Sequence, residues 1–127
     1  MEPTMAALPP LIRSLLRPEA YPHPVTDVQL RETHLSWVLL AGQFAYKIKK
    51  PVDLGFADFS TLERRIAACA DEVRLNRRLC PGCYLGVVNL VARGSGYAID
   101  TAGDPVEVAV QMRRLPEAGM LPALLAK

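Results

Sequence analysis

The chain has 127 residues, a length typical of a single domain with one modest core. Hydrophobic residues make up 50% of it and charged residues 22%, which is typical of folded globular proteins and argues against overall disorder. A formal charge of +2 is too small for the strongly basic face of a nucleic-acid-binding protein. No apolar run approaches the roughly 20 residues that cross a bilayer, and the N-terminus has no signal-peptide pattern. We therefore expect a cytoplasmic protein without nucleic-acid or membrane partners.

The first 26 residues predict an N-terminal arm. Leu8–Arg17 carries apolar residues at helical spacing, with prolines suited to its first turn and Pro18 after its end. A short amphipathic helix is the prediction there. The proline-rich stretch Tyr21–Pro24 follows and predicts a rigid extended connector.

Three strands joined by short turns are predicted next, at Val28–Thr33, Leu35–Ala41 and Phe44–Lys49. Short turns between consecutive strands predict an antiparallel meander. Further strands are predicted at 84–92, 97–100 and 106–113, each bounded by Gly- or Pro-containing turns.

One long helix is predicted between the two groups of strands, over 61–79. Ser60 and Glu63 have capping-box spacing at its start. A further helix is predicted at 117–127. The order of elements predicts an α+β fold, with an antiparallel sheet of about five strands in a domain spanning 27–116.

The long helix carries a carboxylate on its apolar side. On a helical wheel Glu72 falls between two apolar stripes, where a charge needs a partner. Arg65 lies beside it on the wheel and is one candidate. Lys47 and Lys49 share one face of the third strand and are the other candidates, unless both simply face solvent. These alternatives stay open at this level.

The pattern matches the ion pair of the protein-kinase N-lobe. In that lobe a small residue, any residue and a lysine lie on a third antiparallel strand, and the following helix carries an inward glutamate. Ala45-Tyr46-Lys47 supplies the strand part, which favours Lys47 over Lys49. The chain also resembles the bacterial aminoglycoside-phosphotransferase-like proteins, whose kinase-like domain is fused to a C-terminal P-loop ATP-binding domain. The segments that carry the resemblance are ETHLSWVLLAGQFAYKIKKPVDLGFADFSTLERR, DEVRLNRRL, YLGVV and VEVAVQMRRLP.

This resemblance implies a kinase-like N-lobe that takes part in phosphoryl transfer from ATP to an unknown small-molecule acceptor. By position, Lys47 would bind the phosphates and Glu72 would hold Lys47, and these are the implied catalytic residues. The implied nucleotide-binding residues are Thr33, His34 and Ser36 in a turn over the phosphates, Ala45 against the adenine, Lys49, and Gln111, Met112 and Arg113 in a linker over 111–115 whose backbone groups would pair with adenine.

The catalytic motifs of a kinase C-lobe are missing from the sequence. Nothing after Leu115 can supply an H-x-D-x-x-x-x-N or D-F-G-like motif, and the sequence contains no G-x-x-x-x-G-K-[ST] phosphate loop. We therefore expect this chain to be the N-lobe of a larger protein and inactive alone. The ligands of the catalytic Mg²⁺ are expected in the C-lobe, with no metal ligand here.

The cysteines offer a different chemistry. Cys80 and Cys83 have the C-x-x-C spacing of redox and zinc sites, but they follow a helix and no second close ligand pair accompanies them. We interpret the pair as a turn that carries two thiols. A thiol-redox module is a weaker alternative.

A non-catalytic binding or dimerisation module is the main alternative function. A free-standing N-lobe would expose the apolar surface that otherwise meets a C-lobe, and a homodimer could cover it. The candidate residues of that patch are Val108, Val110 and Met112, or Met120, Leu121 and Leu124.

Overall fold

A computed structural model describes residues 8–53, 55, 58–100 and 103–114. The elements in chain order are α1 (Pro10–Leu15), a 3-10 turn at Pro18–Ala20, β1 (Val28–Glu32), β2 (Ser36–Ala41), β3 (Phe44–Lys49), α2 (Leu62–Asn76), β4 (Tyr84–Arg93), β5 (Gly96–Ile99) and β6 (Glu107–Arg113). The strands form one antiparallel sheet in the order β1-β2-β3-β6-β4-β5. The fold is α+β, as the sequence predicts.

The predicted meander is present in β1, β2 and β3. Strand β1 pairs with β2 from Val28 opposite Ala41, and β2 pairs with β3 from Ser36 opposite Lys49. The β2–β3 turn needs Gly42, whose φ is +63°, a left-handed conformation that side chains with a Cβ rarely adopt.

The sheet has six strands where the sequence predicts about five. The strand predicted at 97–100 is present as β5, which pairs with the end of β4 from Leu90 opposite Ile99 to Arg93 opposite Gly96. It forms an edge strand of its own. Strand β6 lies between β3 and β4, so the last strand in the chain joins the two halves of the sheet.

The N-cap of helix α2 lies one residue later than predicted, at Thr61 instead of Ser60. The hydroxyl of Thr61 accepts a hydrogen bond from the Arg64 backbone N–H at 3.2 Å, which makes Thr61 the N-cap. The Ser60 hydroxyl instead donates to Asp58. The predicted Ser60–Glu63 capping box is therefore wrong, because the hydroxyl oxygen of Thr61, and not that of Ser60, accepts the backbone N–H at the start of the helix.

Helices α1 and α2 are both shorter than their sequence patterns predict. Helix α2 ends at Asn76, short of residue 79, and α1 covers Pro10–Leu15 within the predicted Leu8–Arg17. The predicted helix at 117–127 lies outside the described residues. Neither helix of the described part is long and apolar enough to cross a membrane.

The core forms on both faces of the sheet. We call one the arm face, because α1 and the segment after it pack there, and the other the helix face, because α2 packs there. The arm-face cluster includes Ile12, Leu15, Tyr21, Leu39, Tyr46, Ile48, Leu90, Ile99 and Ala109. The helix-face cluster includes Ala45, Cys69, Val73, Cys83, Tyr84, Val108, Val110 and Met112.

Candidate functional site

Strand β3 carries two lysines onto the helix face. Side chains alternate along a strand, so Lys47 and Lys49 share a face with Ala45. Lys47 lies opposite Val110 on one side, and Lys49 lies opposite Ser36 on the other. Both lysines therefore point to the side on which α2 packs.

Glu72 of helix α2 receives both lysines. The Lys47 Nζ lies 2.9 Å from Oε2 of Glu72, and the Lys49 Nζ lies 2.7 Å from Oε1. The three side chains are 12%, 11% and 13% exposed in the order Lys47, Lys49, Glu72. The predicted contact between Lys47 and Glu72 is confirmed. The sequence pattern favours Lys47 over Lys49 as the partner of Glu72, whereas in the structure both lysines bind it.

The electrostatics of this cluster keep Glu72 ionised. Burial alone would raise the pKa of Glu72, but the ammonium groups of Lys47 and Lys49 outweigh it, and the pKa is lowered. Two ammonium groups and one carboxylate leave a net charge of one positive unit. The pKa of Tyr84 is raised to about 12 by burial and by the charge of Glu72, so its hydroxyl stays neutral.

Arg65, the alternative partner of Glu72, has a carboxylate of its own. Its Nε donates to both oxygens of Glu107, at 2.9 and 3.1 Å, and each side chain of this pair is 11% exposed. Its Nη1 donates to the carbonyl oxygen of Phe59 at 2.8 Å. The sequence reading missed Glu107 and Phe59. One available signal was a carboxylate at the start of the apolar strand β6.

An open strip of sheet adjoins the cluster. Helix α2 packs against β6 and β4. On the same face, Val38 and Leu40 of β2 remain partly exposed, and Val38 lies opposite Lys47. Leu40 lies opposite the buried Ala45. An apolar surface thus meets a positively charged cluster at its edge.

The predicted phosphate-side turn joins β1 to β2. Thr33 organises it, since its hydroxyl oxygen accepts from the backbone N–H groups of Leu35 and Ser36, at 3.3 and 3.0 Å. His34 is exposed. Ser36 is buried and lies opposite Lys49, so this end of the turn is next to the lysine cluster.

The predicted linker at 111–115 is wrong for its described part. Gln111 and Met112 pair with β3 on one side and β4 on the other, and Arg113 completes β6. The Arg113 backbone N–H donates to the carbonyl oxygen of Cys83 at 2.8 Å, so this donor already has an acceptor within the chain. Residue 115 lies outside the described residues.

Side-chain positions in this stretch also differ from one residue to the next. The Gln111 amide donates to the Tyr46 hydroxyl at 3.1 Å on the arm face, away from Lys47. Met112 is buried opposite Ala45 on the helix face. Only the second of these two side chains lies on the lysine side of the sheet.

Cys80 and Cys83 lie in the turn between α2 and β4, as expected, but the structure joins them in a disulfide. The interpretation as two separate thiols is therefore corrected. Cys69 is free and buried, and burial raises its pKa to about 11, which keeps it a thiol. Within the described ranges, no three His, Cys, Asp or Glu side chains gather into a group that could hold a metal ion.

Comparisons with known proteins identify relatives of this chain. It is 45% identical over 95 residues to a protein of Mycobacterium tuberculosis strain H37Rv and to one of Mycobacterium bovis, each named only as an uncharacterized protein. The match covers 72% of this chain and 18% of each relative, so the chain spans about a fifth of their length. No family model matches the sequence. No solved structure matches the chain.

Proposed function

We propose that this chain is the nucleotide-binding N-lobe of a cytoplasmic, kinase-like phosphotransferase that resembles the aminoglycoside-phosphotransferase-like family. The observation that carries the proposal is the ion pair between Lys47 on β3 and Glu72 on α2. In protein kinases a strand lysine binds the α- and β-phosphates of ATP and a helix glutamate orients that lysine.

The charge of the cluster supports a phosphate ligand. A neutral pair of one lysine and one glutamate would attract a polyanion weakly. Here Lys49 adds a second ammonium group, so the site stays positive while Glu72 still orients Lys47. The ammonium groups are already held in place before a ligand binds. They therefore need little reorganisation when a negatively charged phosphate approaches.

The adjoining surface supports an aromatic base. Val38 and Leu40 form a partly exposed apolar strip beside the buried Ala45. Ligand sites typically combine such an apolar wall with a few placed charges. We assign the strip to adenine and the lysines to the phosphates of ATP.

Other parts of the reaction are assigned to residues outside this chain. Mg²⁺ prefers oxygen ligands, chiefly carboxylates and phosphates. The described residues offer no group of three His, Cys, Asp or Glu side chains for it, and Glu72 is held by two lysines. In this proposal the remainder of a larger protein supplies the Mg²⁺ ligands, the catalytic aspartate and the acceptor pocket.

The proposal is tested by ATP turnover in the complete protein as its source cell makes it. Lys47→Met should lower ATP turnover by at least about a hundredfold, because a charge-assisted contact to the transferring phosphates is lost. Lys50→Met is the matched control, since Lys50 comes directly after β3 but pairs with Glu32 away from the site. Equal turnover in the wild type and the Lys47 variant would remove the proposed role.

A binding or dimerisation module is the second candidate function. The patch expected at Val108, Val110 and Met112 is wrong, because all three side chains are buried under α2. The patch expected at Met120, Leu121 and Leu124 lies outside the described residues. A different apolar pair favours this candidate, because Leu75 in the last turn of α2 and Leu79 just after its end are 49% and 60% exposed.

Sedimentation of the wild type at two concentrations tests this second candidate. Self-association that Leu75→Gln and Leu79→Gln abolish would support a homodimer through this surface. A monomer at both concentrations would contradict it.

A further inference from the structure

Lys49 is held by more contacts than Lys47. Its ammonium group donates to Glu72 at 2.7 Å and lies over the Phe59 ring, 5.1 Å from the ring centroid. A cation over an aromatic face is attracted by the negative potential of that face. Lys49 is therefore restrained from two directions.

The Phe59 ring belongs to an anchored segment. The backbone N–H of Phe59 donates to Val52 at 2.7 Å, and its carbonyl oxygen accepts from Arg65 at 2.8 Å. Arg65 is in turn fixed by Glu107 in a pair that is 11% exposed on each side. A buried, hydrogen-bonded ion pair resists movement, since breaking it leaves a charge without a partner.

Lys47 is less constrained. Among the described residues, Glu72 is the one hydrogen-bonding partner of its ammonium group. An ammonium group has three N–H donors, so two remain for a ligand. Lys47 also lies beside the partly exposed Val38, on the side from which a ligand on the open strip would approach.

We propose that the two lysines have separate roles, in which Lys47 contacts the phosphates of a nucleoside triphosphate and Lys49 is a positioning residue that stays on Glu72. This division rests on the proposed function. Lys49 compensates the charge of Glu72, which leaves Lys47 with an uncancelled positive charge for the phosphates. The pair of Arg65 with Glu107 holds Phe59 under Lys49 and so keeps Lys49 from turning to the ligand.

Side-chain NMR of the complete protein with isotope-labelled lysine tests the division. Lys47→Arg and Lys49→Arg assign the two Nζ resonances. Titration with ATP should shift the Lys47 resonance and leave that of Lys49 nearly unchanged, and titration with adenosine should shift neither. A shift of the Lys49 resonance as large as that of Lys47 would overturn the division while leaving nucleotide binding intact. Absence of ATP binding by the wild type would overturn the proposed function and the division with it.

Conservative replacement supplies a second readout. Lys49→Met should weaken ATP binding about tenfold, because a charge-assisted hydrogen bond to Glu72 and the extra positive charge are lost. Lys49→Arg should restore binding to within about twofold of the wild type, since a guanidinium can still pair with Glu72 and stack over Phe59. An arginine variant as weak as the methionine variant, with an unchanged unfolding midpoint, would contradict a positioning role.

Discussion

The two faces of strand β3 differ in their polar groups, which are charged on the helix face and neutral on the arm face. On the helix face, Lys47 and Lys49 are charged and share one carboxylate, so the cluster keeps a net charge. On the arm face, Tyr46 is fully buried and its hydroxyl hydrogen-bonds His23 at 2.7 Å and Gln111 at 3.1 Å. One strand thus serves a charged site on one side and a neutral core on the other.

The neutral face is built for stability. Burial raises the pKa of Tyr46 to about 12, so its hydroxyl is neutral at every physiological pH. The Tyr21 hydroxyl, packed nearby, donates to the Leu15 carbonyl at 2.6 Å, and the Tyr21 and Tyr46 rings lie 5.4 Å apart. Hydroxyls that are paired in this way cost little on burial, whereas a surplus charge persists only where a ligand or solvent can reach it. This contrast leads us to expect large stability losses on the arm face and pH-dependent ones on the helix face.

The largest loss is expected for Tyr46→Ala on the arm face. Removing a fully buried ring leaves a cavity among Tyr21, Ile48 and their neighbours and should cost about 3–5 kcal/mol of unfolding free energy. Tyr46→Phe is the control, because it keeps the ring and should lose only about 1 kcal/mol with the hydroxyl. Urea denaturation measures both. A Tyr46→Ala loss no larger than that of Tyr46→Phe would show that the arm does not pack on this face.

Removing one partner of the buried pair under α2 is expected to cost somewhat less. Arg65→Met leaves the Glu107 carboxylate without its cation and should cost about 3 kcal/mol in urea denaturation. The double variant Arg65→Met, Glu107→Leu should recover most of that loss, since a well-packed apolar pair replaces the ion pair at little cost. A double variant as unstable as the single one would show that the pair does not act as a unit.

The helix face should show an acid-dependent contribution from Glu72. Its pKa in the folded protein lies below the ordinary value of 4.5, so its stabilising effect is present above that value and is lost as the pH falls through the lowered pKa. At pH 7, Glu72→Gln should cost about 1–3 kcal/mol. The gap between wild type and variant, measured by urea denaturation from pH 7 to pH 3, should narrow below about pH 4.5. A gap that is constant across this range would contradict the ion pairs.

The smallest effect is expected at Lys50, next to Lys49 on the chain. Lys50 pairs with Glu32 and lies 5.3 Å from the centroid of the Trp37 ring, but both charged side chains are more exposed than those around Glu72. Lys50→Ala should cost less than about 1 kcal/mol and should cost less still in high salt. A salt-independent loss comparable to that of Glu72→Gln would remove the distinction between the two clusters.

Much of the site could be predicted from local patterns. The alternation along Phe44–Lys49 assigned Lys47 and Lys49 to one face, and the helical period placed Glu72 toward the core. Both features depend on geometry that repeats within a single element. The patterns did not reveal the bidentate contact of Arg65 with Glu107, because those residues lie 42 positions apart in sequence.

Two expectations failed for different reasons. The resemblance, and not a local pattern, implied a linker at 111–115, whereas residues 111–113 complete the strand predicted at 106–113 and pair with β3 and β4. Ser60 has capping-box spacing, but its hydroxyl donates to Asp58 and the neighbouring Thr61 caps the helix. Two adjacent hydroxyls could each cap α2, and the fold selected one.

The sequence alone determined the α+β order of elements, the face of each strand residue and the inward position of Glu72, because backbone geometry imposes these periods locally. Only the tertiary structure decided that Glu72 meets two lysines, that Arg65 pairs elsewhere and that β6 joins the two halves of the sheet. A charge buried on the core side needs a partner, but which cation reaches it depends on how α2 lies across the sheet. That placement follows from packing over the whole core, which no single segment encodes.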